Sequence, residues 1–213
     1  MAELSSIDRN LDVVTSFGRD DVVLYDPREA PFSLYGVFYE DGWYRRMPES
    51  AAASVSDNVR ELSAYTAGGR VCFATDSEFV AFSCRSGGFD LYTREKGSLL
   101  YYGTFMPDSG KREGYASILK FPTKERREIL IHFPLYCGIT SLSVGLASGA
   151  SLDGWSGYKR EKPVVFYGSS ITQGGCASRP GSAFPAMLSR MLDRPFLNFG
   201  FSGSGKGEPE VIA

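Results

Sequence analysis

Histidine is almost missing from these 213 residues: His132 is the only one, so the chain offers a single imidazole for proton transfer near neutral pH. Cysteine is scarce as well. Cys72, Cys84, Cys137 and Cys176 lack the paired spacing of a metal-binding motif, and reduced thiols are the expectation. Charge of neither sign dominates. With 23 Lys and Arg against 25 Asp and Glu there is no basic stripe, and nucleic acid is not an expected partner. No apolar run approaches the roughly 18 residues that span a bilayer, so no membrane partner is expected either. Residues 1–12 are polar and carry no hydrophobic signal core, and the chain as written reads as cytoplasmic. Repeats and low-complexity segments are absent too. The remaining composition is that of an ordinary globular protein, long enough for one large domain or two small ones.

Most of the chain reads as short strands. Residues 1–19 form a polar lead-in, a strand or a loop. Residues 22–25, 32–39, 43–47, 70–75, 78–84, 89–93, 99–105, 116–121 and 127–133 are apolar or alternating segments. They are separated by turn signals such as Asp26-Pro27, Glu40-Asp41-Gly42, Asp76-Ser77 and Ser86-Gly87-Gly88. In 127–133, Ile129, Ile131 and Phe133 share one face while Leu130 and His132 share the other. Leu142, Val144 and Leu146 alternate with small residues in a further strand. Residues 56–65 read as a short helix or irregular coil. Many short strands between Gly, Asp and Pro turns predict a jelly-roll-like antiparallel β-sandwich over residues 1–158.

The pattern changes after Trp155-Ser156-Gly157-Tyr158, where the charged Lys159-Arg160-Glu161-Lys162 leads to Pro163. Residues 163–213 read as a second, α/β unit. Val164-Val165-Phe166-Tyr167 is a short β-branched and aromatic run, the signature of a buried parallel strand. A polar loop follows, and then a helix over 183–192. Phe184, Met187, Leu188, Met191 and Leu192 fall at the spacing of one buried helix face. Ser182 is placed to cap that helix, Pro185 suits its first turn, and Asp193-Arg194-Pro195 ends it. A second strand covers 196–199, a glycine-rich loop covers 200–207, and Glu208-Pro209-Glu210 opens another helix.

Two loops after two neighbouring parallel strands open at one sheet edge, and that is where the chemistry is expected. Ser169-Ser170 between Gly168 and Gly174 is either a plain turn or a nucleophile loop. Gly200 to Gly207 lacks the Gly-Lys-Ser/Thr ending of a phosphate-binding loop. Asp90 either contacts a ligand or fixes a turn or a domain contact, and Asp commonly does the latter. Arg179 either meets a carboxylate or sugar oxygen or forms a structural pair under the loop. Cys176 reads as a packing residue, since nothing basic nearby would activate it.

Gly168-Ser169-Ser170-Ile171-Thr172-Gln173-Gly174 resembles the first block of the SGNH (GDSL-type) hydrolases, with Ser in place of Asp. Gly88-Phe89-Asp90-Leu91-Tyr92 resembles the GxDLY motif of the branch with an N-terminal β-sandwich. Phe133-Pro134-Leu135-Tyr136, Ala177-Ser178-Arg179-Pro180-Gly181 and Asn198-Phe199-Gly200-Phe201-Ser202-Gly203 extend the likeness in order along most of the chain. The resemblance implies a β-sandwich followed by the first β-α-β of a flavodoxin-like hydrolase domain. It implies Ser170 as nucleophile, Gly203 as an oxyanion donor beside the Ser170 amide, and hydrolysis of small acyl esters, including acetylated carbohydrate. It requires no metal and no organic cofactor; the expected partner is a small-molecule or carbohydrate ester. The family's later asparagine and its Asp-x-x-His block have no counterpart here. His132 precedes the nucleophile and has no Asp three residues upstream, so it reads as a half-buried strand residue. The expectation is the front part of a longer enzyme, inactive on its own. The competing reading is a carbohydrate-binding sandwich with a non-catalytic stub.

Overall fold

The computed structural model of the protein describes residues 17–84, 87–106 and 115–212. Residues 1–16 of the expected lead-in, and Ser86 of one expected turn, lie outside the described residues. Among the described residues, twelve strands make up the first unit. They are β1 (Val22–Tyr25), β2 (Ser33–Tyr35), β3 (Phe38–Glu40), β4 (Trp43–Arg45), β5 (Arg70–Thr75), β6 (Phe79–Cys84), β7 (Phe89–Glu95), β8 (Ser98–Phe105), β9 (Tyr115–Lys120), β10 (Arg127–His132), β11 (Leu142–Ala147) and β12 (Leu152–Asp153). The aromatic run expected as one strand over 32–39 is divided into β2 and β3, because Gly36 between them has φ +71°.

The short helix or coil expected over residues 56–65 is a helix, α2 (Asp57–Ser63), and a helix not expected from the sequence, α1 (Glu49–Val55), precedes it. Ser56 between them is fully extended, and its hydroxyl accepts from the Val59 amide at 3.2 Å, ending one helix and capping the next. The alanine run Ala51-Ala52-Ala53 supplies the helical propensity for α1.

Two antiparallel sheets face one another. One has the order β1-β11-β6-β9; the other has β12-β5-β10-β7-β8, with β2 also on β5. Phe73, Phe82, Phe89, Phe105, Ile129 and Ile131 fill the space between them, with Phe82 and Phe105 stacked at 4.9 Å. Side chains alternate across the second sheet as period two demands. Val71, Phe73, Leu91 and Ile131 point inward, while Cys72, Tyr92 and Leu130 belong to a separate cluster on the far face. That far face is covered rather than solvated. Arg70, Asp90 and His132 are all buried on it, so His132 is not the half-exposed strand residue its alternating pattern suggests.

The second unit supplies the cover. It contains β13 (Val164–Gly168), α3 (Ser170–Gln173), a 3-10 turn at Pro180–Ser182, α4 (Phe184–Leu192), β14 (Phe196–Gly200) and α5 (Pro209–Ile212). β13 and β14 are parallel, in register from Val164 opposite Phe196 to Gly168 opposite Gly200, and α4 lies between them in the chain. Two expectations for α4 fail. Its N-cap is Ala183, with no side-chain cap, because Ser182 closes the preceding 3-10 turn. Its buried residues are Pro185, Ala186 and Ser189. The apolar face of Phe184, Met187, Leu188, Met191 and Leu192 is exposed, Met191 to 78 %. Periodicity marks which face is apolar; Phe184 at its edge meets the Phe166 ring at 5.5 Å, while Met187, Leu188, Met191 and Leu192 are left exposed.

Two buried arginines join the units through backbone carbonyls. Arg70 donates to Phe196 O at 3.1 Å and lies 4.1 Å from the Phe196 ring centre. Arg46 donates to Tyr65 O and Leu62 O at 2.6 Å, and to Asn198 O and Gly200 O at 2.8 Å. Burial lowers the Arg46 pKa to about 9, which leaves it charged at neutral pH. Four carbonyl dipoles compensate a cation that has no carboxylate partner in these bonds.

Candidate active site

The end of β13 is built for close approach. A Cβ on Gly200 would lie 2.1 Å from the Gln173 amide nitrogen, and one on Gly205 would lie 2.2 Å from Gly168 O. Glycine at both positions therefore lets α3 and the loop after β14 press against the strand ends. The Phe201 amide donates to Gly168 O at 2.8 Å, joining the two loops directly.

Two polar side chains fix the rest. Gln173 is buried; its Nε2 donates to Leu135 O at 3.2 Å and its Oε1 accepts from the Ser202 amide at 2.9 Å. Asn198, also buried, donates to Thr172 O at 2.9 Å and accepts from the Gly200 amide at 2.8 Å. Neither residue was assigned a role on sequence grounds. The available signal was a polar residue inside a strand, Asn198, and another closing a one-turn helix, Gln173.

Ser170 is the first residue of α3, half-buried, so its amide has no intrahelical acceptor. Its carbonyl accepts from the amides of Gly174 (3.0 Å) and Gly175 (2.6 Å) and from the Tyr136 hydroxyl (3.2 Å). Gly203 is exposed, with φ +74° and no heavy atom within 4 Å of where a Cβ would stand. It follows β14 as Ser170 follows β13, at the same end of the parallel pair. Cys176 is exposed with φ +66°, so it is not the packing residue expected from the sequence.

Asp90 is the hub between the units, a domain contact rather than a turn. It is fully buried, accepts from Thr104 Oγ1 at 2.7 Å and from the Gly181 amide at 2.8 Å, and lies 3.4 Å from Arg179 Nε. Burial raises its pKa, while Thr104, Gly181, Arg179 and Arg190 pull the other way. The Arg179 guanidinium sits 4.0 Å over the Tyr101 ring. Arg179 is therefore in a structural pair, and it also lines an open cleft of about 310 Å³ between the units, together with Thr104, Met106, Tyr136 and Cys176.

His132 is remote in role. Arg190 Nη1 lies 3.2 Å from His132 Nε2, and since arginine only donates, Nε2 is the acceptor. Burial, then the neighbouring Arg190 and Arg70, hold its pKa well below the ordinary value. The ring meets Tyr92 edge-on at 5.3 Å. Among the described residues no group of His, Cys, Asp and Glu is arranged to hold a metal ion.

Comparison with known proteins agrees with this architecture. The profile described as the N-terminus of Esterase_SGNH_hydro-type proteins matches residues 22–152. That of the GDSL-like Lipase/Acylhydrolase family matches residues 161–213. A Bacteroides ovatus protein classed as a GDSL-like lipase is similar in structure, with 30 % identity and a TM-score of 0.79 over 89 % of this chain and 59 % of that one. The salicylyl-acyltransferase SsfX3 of a tetracycline biosynthetic pathway has 18 % identity and a TM-score of 0.67, over 88 % of this chain and 56 % of that one. A family two carbohydrate esterase from Cellvibrio japonicus has 11 % identity and a TM-score of 0.55, over 85 % and 53 %. At these identities the last two share the fold. No curated protein matches. The chain thus spans little more than half the length of the solved structures it resembles.

Proposed function

We propose, from the premise that the chain belongs to the SGNH-hydrolase-type esterases with a GxDLY N-terminus, that it is the front part of a serine ester hydrolase with Ser170 as nucleophile. The observation that supports this is the locking of two loops at one end of a parallel strand pair. Gln173 and Gly205 hold the Ser170 turn against the loop carrying Gly203.

In this reading Ser170 Oγ attacks the ester carbonyl carbon, and the oxyanion forms against the Ser170 and Gly203 amides. Collapse expels the alcohol and leaves an acyl-serine, which water then hydrolyses. The Ser170 proton needs a base. His132 does not qualify: it is buried between the units and its Nε2 is taken by Arg190. The base belongs to an Asp-x-x-His block outside these residues, so the 213 residues alone turn over esters poorly. Small acyl esters are the proposed substrates, with acetylated carbohydrate suggested by the carbohydrate esterase among the fold neighbours.

Nitrophenol release from 4-nitrophenyl acetate tests the incomplete-site reading. Loss of a triad member typically costs on the order of 10⁴- to 10⁶-fold in rate, so turnover by the chain stays below roughly 1 s⁻¹. Faster turnover that Ser170→Ala abolishes would mean that a base is already present within the chain.

A further inference from the structure

We propose that Arg179 makes the cleft between the units a carboxylate subsite, so that the substrates of this site carry a negative charge next to the ester. The inference rests on the reading of the Ser170 loop as the reacting end of the site.

The guanidinium is held in place before any ligand arrives. Thr104 Oγ1 donates its proton to Asp90, so the Tyr101 hydroxyl, 2.8 Å from Thr104 Oγ1, is the donor in that bond. The relay Tyr101 to Thr104 to Asp90 sets the ring on which Arg179 rests. Asp90 takes the Nε side of the guanidinium, and the side chain remains 36 % exposed where it lines the cleft. Arginine edges of this kind bind carboxylates in a fork, and the ring beneath favours the planar cation.

The charge balance points the same way. Asp90 is shared by two cations, since the half-buried Arg190 also acts on it and donates to Gly181 O at 2.7 Å. His132 beside Arg190 is neutral, as its acceptor role requires. Two arginines against one carboxylate leave a net positive charge behind the cleft. Among the described lining residues Arg179 is the one charged group; Met106, Pro134, Leu135 and Tyr136 give the wall its apolar character. Tyr136 connects the cleft to the reacting end, because its hydroxyl donates to Ser170 O. A ligand carboxylate at Arg179 thus places its remaining atoms along an apolar wall that leads to the Ser170 turn.

The carboxylate can sit on the acyl side, as in a dicarboxylic half-ester, or on the alcohol side, as in a uronic acid, and binding experiments separate these sources. Titration calorimetry on the 213-residue chain would compare monomethyl succinate with dimethyl succinate, and methyl glucuronoside with methyl glucoside. One carboxylate is expected to bind about tenfold or more tightly than its neutral partner, in line with a charge-assisted hydrogen bond. Arg179→Gln should erase that difference. Because Arg179 also pairs with Asp90, a second variant places the perturbation elsewhere: Met106→Glu, at an exposed position, should repel the carboxylate and leave the fold intact. Equal binding of charged and neutral partners would overturn the proposal, as would retention of the preference in a folded Arg179→Gln or in Met106→Glu. Ser170→Ala should leave the preference unchanged, so a failed nucleophile assignment would not be mistaken for a failed subsite.

Discussion

Acidifying the protein from about pH 7.5 to about pH 5 should destabilise it through His132, with the unfolded chain drawing the proton. In the folded state burial, Arg190 and Arg70 hold the imidazole neutral well below its ordinary pKa of 6.5. The unfolded chain therefore binds one more proton as the pH falls through that value. Stability rises with pH wherever the unfolded state holds more protons, so this contribution is present above about 6.5 and is lost below it. If the folded form stays neutral throughout, the loss reaches about 2 kcal/mol at about pH 5, from roughly 1.4 kcal/mol per pH unit. Because His132 is the only histidine, no second imidazole blurs the result. Asp90 titrates in the opposite sense. Its pKa is raised in the fold, so its protonation favours the folded state as the pH falls toward the ordinary carboxylate range. Urea unfolding of wild type and His132→Gln across this pH range isolates the effect, since glutamine keeps an acceptor for Arg190. The two stability curves should converge as the pH falls, the wild type losing more. Parallel curves would mean that His132 takes up its proton equally in the folded and unfolded chains, which would contradict its role as acceptor from Arg190.

Two further perturbations address the domain contact and the uncovered face. Asp90→Ala removes the acceptor of Thr104 and Gly181 and the carboxylate beside Arg179, at a cost of about 2–5 kcal/mol from two donors left without an acceptor. It should expose residues 159–162 to proteolysis; a loss under about 0.5 kcal/mol with unchanged cleavage would show that Asp90 does not hold the units together. Leu188→Gln with Met191→Lys changes exposed apolar side chains on α4. It should reduce self-association in sedimentation velocity and shift stability by less than about 0.5 kcal/mol, whereas a large destabilisation would mean that the face is buried in solution.

The strands and the parallel order of the second unit were legible in the sequence because local alternation and β-branched runs encode them. β13 and β14 extend the expected segments by one glycine each, Gly168 and Gly200. Lone positions were harder. The alternation of Leu130 and His132 marks a face opposite the core, but not what covers it; Arg190, 58 residues later, does so. The face of α4 was legible as apolar, yet burial depends on a partner and not on spacing. Arg46 gave no signal at all, since its four carbonyl acceptors come from α2, the residues just after it, and β14. Asp90 stood out through its motif, and only the fold distinguished a domain contact from a turn. Gln173 and Asn198 lay inside recognisable blocks without a role, because their bonds go to backbone atoms of other segments.

The most direct measurement concerns Ser170. The chain is extended at its C-terminus by the corresponding remainder of a family member such as the Bacteroides ovatus protein, and hydrolysis of 4-nitrophenyl acetate is followed with and without Ser170→Ala. The account predicts turnover in the extended protein that falls by about 10⁴-fold or more in the variant, with the fold unchanged by circular dichroism. Turnover that survives Ser170→Ala, or a correctly folded extended protein with no activity on any acyl ester, would contradict it.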